Sequence, residues 1–175
     1  MDPAEGDKET PAGDIFRDYP VRYLGYANEV GEAFRSFVHV NVVRASYVVA
    51  SCYVMADAAH KGQVANKKFQ GHQLQRRYVL QGVVDTLIWQ GLASVVIPGF
   101  TINRICWLSN KLLRARLPLT TSKSLSTMLG LAAIPLIISP IDKGVDSLME
   151  NTFRSWFKHV EALDEKEIVH HNRKD

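Results

Sequence analysis

The chain has 175 residues and a formal net charge of +3, the length of one domain with enough residues to bury a core. Its two cysteines, Cys52 and Cys106, are too few for a disulfide framework and lack the CxxC spacing of zinc or dithiol sites. Both read as small apolar residues among helices.

Residues 1–18 are acidic and carry Pro3, Pro11 and Gly13, which reads as a disordered lead-in. A secretory signal needs a basic start and an apolar run, and a mitochondrial presequence is basic and poor in acids. Any import signal is therefore expected to be internal. From residue 19 to 162 the pattern is that of one helical domain, and residues 163–175 read as a disordered tail.

Tyr23, Ala27, Val30, Phe34 and Phe37 recur at spacings of four and three, the apolar stripe of an amphipathic helix. Asn28, Glu29, Glu32 and Arg35 fall mainly on its other side. The stripe suits a helix packed on the domain, or one lying at a membrane interface and leading into a first span.

Three stretches have the length and apolarity of candidate spans, residues 37–56, 79–100 and 125–141. The first contains His39, Asn41 and Arg44, and the second Gln81, Asp85 and Gln90. The third is free of charge but short, and Pro135 and Pro140 are expected to kink or end it. Between them, His60 to Tyr78 carries Lys61, Lys67, Lys68, Arg76 and Arg77 with no acid. Gly99 to Ser124 likewise carries Arg104, Lys111, Arg114, Arg116 and Lys123 with no acid. Basic connectors between apolar segments are what bilayer insertion and anionic head groups favour. Arg76, Arg77, Arg104, Lys111 and Arg114 are the expected contacts to anionic lipid such as cardiolipin. Nucleic acid is not an expected partner, because aromatic interleaving and glycine-rich tracts are missing.

Ile105, Leu108 and Leu112 suit a short interfacial helix. A second such stripe runs through Val145, Leu148, Met149, Phe153, Trp156 and Val160, with Glu150 and Arg154 in the favourable i,i+4 order. The fold class is all-α: about three spans plus amphipathic interfacial helices. Three full spans place the two basic connectors on opposite sides, so charge alone does not orient the chain.

Three blocks carry a family resemblance: RYLGYANEVGEAFRS (Arg22 to Ser36), DTLIWQGLASVVIPGFTINR (Asp85 to Arg104) and PLIISPID (Pro135 to Asp142). In order and spacing they resemble the mitochondrial fission process protein family. The resemblance implies a multi-pass protein of the mitochondrial inner membrane that promotes organelle division and supports organelle integrity. It implies no enzymatic activity and no cofactor, and its protein partners in the inner membrane or the fission machinery are unidentified.

The residues themselves supply no catalytic motif. His60, His72, His170 and His171 lack HExxH-like spacing, and there is no GxSxG elbow. The absence of a GxxxxGK[ST] phosphate loop excludes severing by a nucleotide-driven motor of that type. What stands out is charge inside apolar segments, where an ionisable group near the bilayer centre costs about 2.5–3.5 kcal/mol and normally faces a partner or water. A hairpin with Ala56 level with Val79 sets Arg44 near Gln90 and Asp85 near Ser51, an offset of about 9 Å between Arg44 and Asp85 at the helical rise. A direct Arg44–Asp85 bridge, or separate contacts of Arg44 with Gln90 and of Asp85 with Ser51 or Tyr53, both satisfy the pattern. An alternative function is an oligomeric channel or carrier whose polar path is lined by Arg44, Asp85, Gln81 and Gln90. A soluble helical interaction module is a third.

Overall fold

The computed structural model describes residues 20–160 and 162; the expected lead-in and tail lie outside them. A 3-10 helix, Pro20–Tyr26, runs into α1, Ala27–Ala33. Three long helices follow: α2, Val40–Lys68; α3, Gln75–Leu113; and α4, Leu119–Val160, interrupted at Thr152. No strand occurs among the described residues. All three long helices have the length and composition to cross a membrane.

Each boundary has a local cause. His39 caps α2, its backbone extended and its Nδ1 accepting from the Asn41 amide at 3.2 Å. At the other end Lys67 and Lys68 sit in the last turn, where cations suit the helix carbonyls. Gly71 then takes φ +83°, which L side chains rarely adopt, and makes a short reversal possible. The reversal is clamped by Phe69 stacked on Tyr78 at 4.1 Å and by Gln75 bonded to Asn66 at 2.7 Å. Pro118 opens α4.

Within α3, residues Gly91–Val96 widen to a π turn just before Pro98. Pro98 has no N–H and its ring crowds the carbonyl four residues back, so a wider turn accommodates it. Pro135 and Pro140 behave otherwise than expected. Both sit exposed inside a helix that continues to Asn151, as proline is tolerated where neighbouring groups re-satisfy the freed carbonyls. The expected interfacial helices are likewise not separate elements. Ile105 to Leu112 is the last part of α3, and Val145 to Val160 completes α4.

α2 and α3 form an antiparallel hairpin in which Tyr47 meets Gly99, Asp57 meets Gln90, and Gly62 meets Val83. α4 returns along α3, with Ser122 beside Asn110, Ser126 beside Cys106 and Trp89 beside Asp146. The 3-10 helix and α1 fold back along α2, setting Gly25 against Tyr53 and Gly31 against Ser46. α1 is thus a short fourth helix tucked among the three long ones.

The apolar clusters are small. One joins Ala33, Ile102 and Cys106; the other joins Ala93, Val145 and Met149. Much of the remaining interior is polar: Asn28, Glu29, Glu32, Asp57, Gln90, Ser122, Ser126 and Thr127 are buried. Outside, Tyr23, Val48, Met55, Phe100, Leu112, Met128 and Leu136 are more than half exposed. This is the reverse of a water-soluble bundle, and it is the distribution that lipid solvation favours. α1 shows the inversion most directly. The stripe of Tyr23, Val30, Phe34 and Phe37 points outward, while Asn28, Glu29 and Glu32 point in.

Candidate functional site

Three polar assemblies stand out, two in the interior and a third, partly exposed, on α3 and α4. The first is built on Glu32 of α1. Arg35 clamps its carboxylate bidentately, Nε to Oε2 at 2.7 Å and Nη2 to Oε1 at 2.6 Å. Tyr47 Oη of α2 donates to Oε1 at 3.0 Å and Asn103 Nδ2 of α3 to Oε2 at 2.8 Å. One carboxylate therefore ties three helices together.

Glu29, three residues earlier, has the opposite environment. It is 1 % exposed, and neither carboxylate oxygen has a hydrogen-bond partner among the described residues.

The second assembly runs along the hairpin. Ser94 Oγ donates to Gln90 Oε1 at 2.7 Å, and Gln90 Nε2 donates to Asp57 Oδ2 at 2.7 Å. Asn28 Nδ2 donates to the Val95 carbonyl at 3.1 Å, within the π turn. The turn's displaced carbonyls are what give α1 an acceptor there. Beside Gln90 and Ser94 opens a cavity of about 330 Å³, lined also by Tyr26, Tyr53, Asp142 and Asp146. Gly99 makes the junction possible: a methyl there would lie 2.5 Å from Tyr47 Oη and 3.0 Å from Asn28 Nδ2.

The third assembly is an ion cluster on α3 and α4. Arg154 binds Asp85 bidentately, at 2.7 and 3.0 Å, and also reaches Asp146 at 3.2 Å and Glu150 at 3.3 Å. The i,i+4 pair of Glu150 and Arg154 is formed, while the Arg44–Asp85 bridge is not. Asp85 lies near Lys61 of α2. Arg44 is some seventeen residues further back along α2, about 25 Å at the helical rise, and is exposed. Ser51 is also exposed, so neither the Asp85–Ser51 nor the Arg44–Gln90 contact forms. The cause is one boundary. α2 continues twelve residues beyond Ala56 before turning, so Gln90 meets Asp57. Gln81 is half-buried near the turn, and with Arg44 near the other end the four residues of the expected channel do not share a path.

This geometry carries a prediction. Arg154→Ala should destabilise the chain by about 1.5–3 kcal/mol, the value of a charged hydrogen-bonded pair that is roughly a quarter exposed. The exchange Asp85→Arg with Arg154→Asp should recover part of the loss in a thermal melt, whereas Arg44→Glu should shift the melt by less than about 0.5 kcal/mol. Equal losses for Arg44 and Arg154 variants would contradict the assignment.

The expected head-group residues fall into two sets. Arg76 and Arg77 are exposed at the start of α3. Arg104, Lys111 and Arg114 are exposed toward its end, Arg104 lying over Phe100 and Trp107 at 5.3 and 5.8 Å. The residues that sequence reasoning missed are Asp57, just beyond an expected span, Asn103, and the inward turn of Glu29 and Glu32. One signal was available. Gly31 falls between the two glutamates of α1, and a solvated polar face has no need of glycine.

Taken together these features define a helical protein with three helices able to cross a membrane, apolar outside and polar within. The chain belongs to the family described as Mitochondrial 18 kDa protein, whose model matches residues 18–149. It is 48% identical over 166 residues to mitochondrial fission process protein 1 of Danio rerio, covering 94% of this chain and all of the relative. The protein of the same name from Homo sapiens is 52% identical over 149 residues, covering 84% of this chain and 90% of the relative. That from Caenorhabditis elegans is 52% identical over 144 residues, covering 81% and 87%. No solved structure matches the chain.

Proposed function

We propose that this chain is a non-catalytic integral protein of the mitochondrial inner membrane that promotes or regulates mitochondrial division and supports organelle integrity. Membership of a mitochondrial family whose relatives are named for fission carries the reading. The inverted distribution of polarity supports the integral membrane part, because an apolar exterior of this extent needs lipid. Lacking a phosphate loop, the chain would act by recruitment, scaffolding or membrane shaping. Its partners are the bilayer, anionic lipid reached by Arg104, Lys111 and Arg114 at one end and Arg76 and Arg77 at the other, and proteins of the division machinery.

The test is mitochondrial morphology with the protein depleted and overproduced. Depletion should elongate the network and overproduction should fragment it; a network unchanged in both states sinks the proposal. Resistance to alkaline carbonate, together with protease protection until the outer membrane is opened, is the expected behaviour for the location.

A further inference from the structure

Glu29 is the one buried carboxyl whose two oxygens both lack a partner among the described residues. Its position along the bundle follows from its neighbours. Gly25 lies against Tyr53 and Gly31 against Ser46, so Glu29 is level with Val48 to Ala50, the middle of the apolar length of α2. On the membrane reading proposed above, that is the middle of the bilayer.

Polar groups approach Glu29 from both ends of the bundle. Toward the α2–α3 turn lie Asn28, Ser94, Gln90 and Asp57, joined in part by the bonds already described, and beside them the 330 Å³ cavity. Gly25 and Tyr26, which line that cavity, are one helical turn from Glu29, and a polar cavity of this size holds water. Toward the start of α2 lie Tyr47, Glu32 and Arg35, whose guanidinium is 44 % exposed. The titratable group that faces Glu29 from α2 is Tyr47, while Arg35 and, from α3, Cys106 lie against Glu32, three residues along. α4 meets α1 through Thr127 and Gly130 and has no ionisable residue between Lys123 and Asp142. Glu32 is committed to Arg35 and Asp57 has one oxygen held by Gln90, whereas neither oxygen of Glu29 is held.

We propose that Glu29 is a proton-binding relay in the middle of the membrane, taking a proton from water in the cavity and releasing it toward the Tyr47–Glu32–Arg35 side. The transfer moves one proton onto and off a carboxylate oxygen and moves no electron. An unpaired ionisable group at this depth is unfavourable as structure alone, which is why such residues mark ion and proton pathways.

The test uses the full chain in phosphatidylcholine–cardiolipin vesicles carrying an internal pH dye, with a potassium gradient and valinomycin supplying the driving potential. The expected result is proton uptake above that of protein-free vesicles, falling to the protein-free level in Glu29→Gln. Protein stripped from the vesicles by alkaline carbonate would overturn the membrane reading on which the inference rests. Protein retained but giving no flux, or a flux undiminished in Glu29→Gln, would overturn the inference alone. Glutamine has the shape of the neutral carboxyl and should fold. Should it not, dicyclohexylcarbodiimide, a reagent for protonated carboxyls in apolar surroundings, decides on the wild-type chain. Failure to modify Glu29, or a flux that persists after its modification, overturns the proposal.

Discussion

Glu32→Leu should lower the melting temperature of the detergent-solubilised chain by on the order of 10 °C, the largest effect of any single side-chain replacement in the interior. The argument rests on what is left behind. The substitution removes one carboxylate and strands three donors: the Arg35 guanidinium, the Tyr47 hydroxyl and the Asn103 amide. Breaking a buried charged pair by deleting one partner typically costs about 3–5 kcal/mol, because the surviving group stays desolvated and unpaired. Arg35 is partly exposed and can relax toward solvent or head groups, which places the expectation at the lower end. Neutral interior bonds are a useful scale. Ser122 to Asn110 at 2.7 Å is well formed, yet such bonds in membrane bundles average about 0.6 kcal/mol. Glu32→Leu should therefore exceed Ser122→Ala severalfold in the same melt. Glu32→Gln, which keeps one acceptor, should fall between them. Equal shifts for all three would mean that the junction of α1, α2 and α3 does not depend on this carboxylate.

The long helices were legible because apolar length is a strong signal, and each expected span maps onto one of them. Their ends were not. Lys61, Lys67 and Lys68 read as a connector, yet a helix extending beyond an apolar stretch carries such residues without breaking, and the stop is set by Gly71. That one boundary moved the hairpin register. It replaced Ser51 with Asp57 as the group facing α3, and it gave Asp85 to Arg154 instead of Arg44. The orientation of α1 was lost for a different reason. Periodicity finds two faces but does not say which solvent each one meets, and in a lipid-facing bundle the rule for water is reversed. The prolines of α4 misled through intrinsic propensity, which surrounding contacts override when the remaining helix bonds hold.

Gly31→Ala poses a conflict of sign that magnitudes resolve. In an isolated helix, alanine for glycine stabilises by about 1 kcal/mol through backbone entropy. At Gly144, where an added Cβ would meet nothing within 4 Å, that gain should appear, and Gly144→Ala should raise the melting temperature slightly. At Gly31 the added Cβ would overlap the Ser46 hydroxyl, lie 2.9 Å from Ser46 Cβ and come within 3.7 Å of the Val43 Cα. Rotating the hydroxyl relieves only the first of these and forfeits its 2.7 Å bond to the Val43 carbonyl. The Cβ contact remains, so α1 must move away from α2, and overpacking of this kind costs about 1–3 kcal/mol. The displacement also pulls on Glu32, one residue along, whose bonds to Tyr47 and Asn103 have little slack. Gly31→Ala is therefore expected to destabilise, opposite in sign to Gly144→Ala. Placing it on a Ser46→Gly background should recover most of the loss, because the colliding atoms are then gone. A thermal melt of the four chains in that cycle gives the coupling directly, and purely additive effects would mean that α1 does not sit against α2 at Ser46.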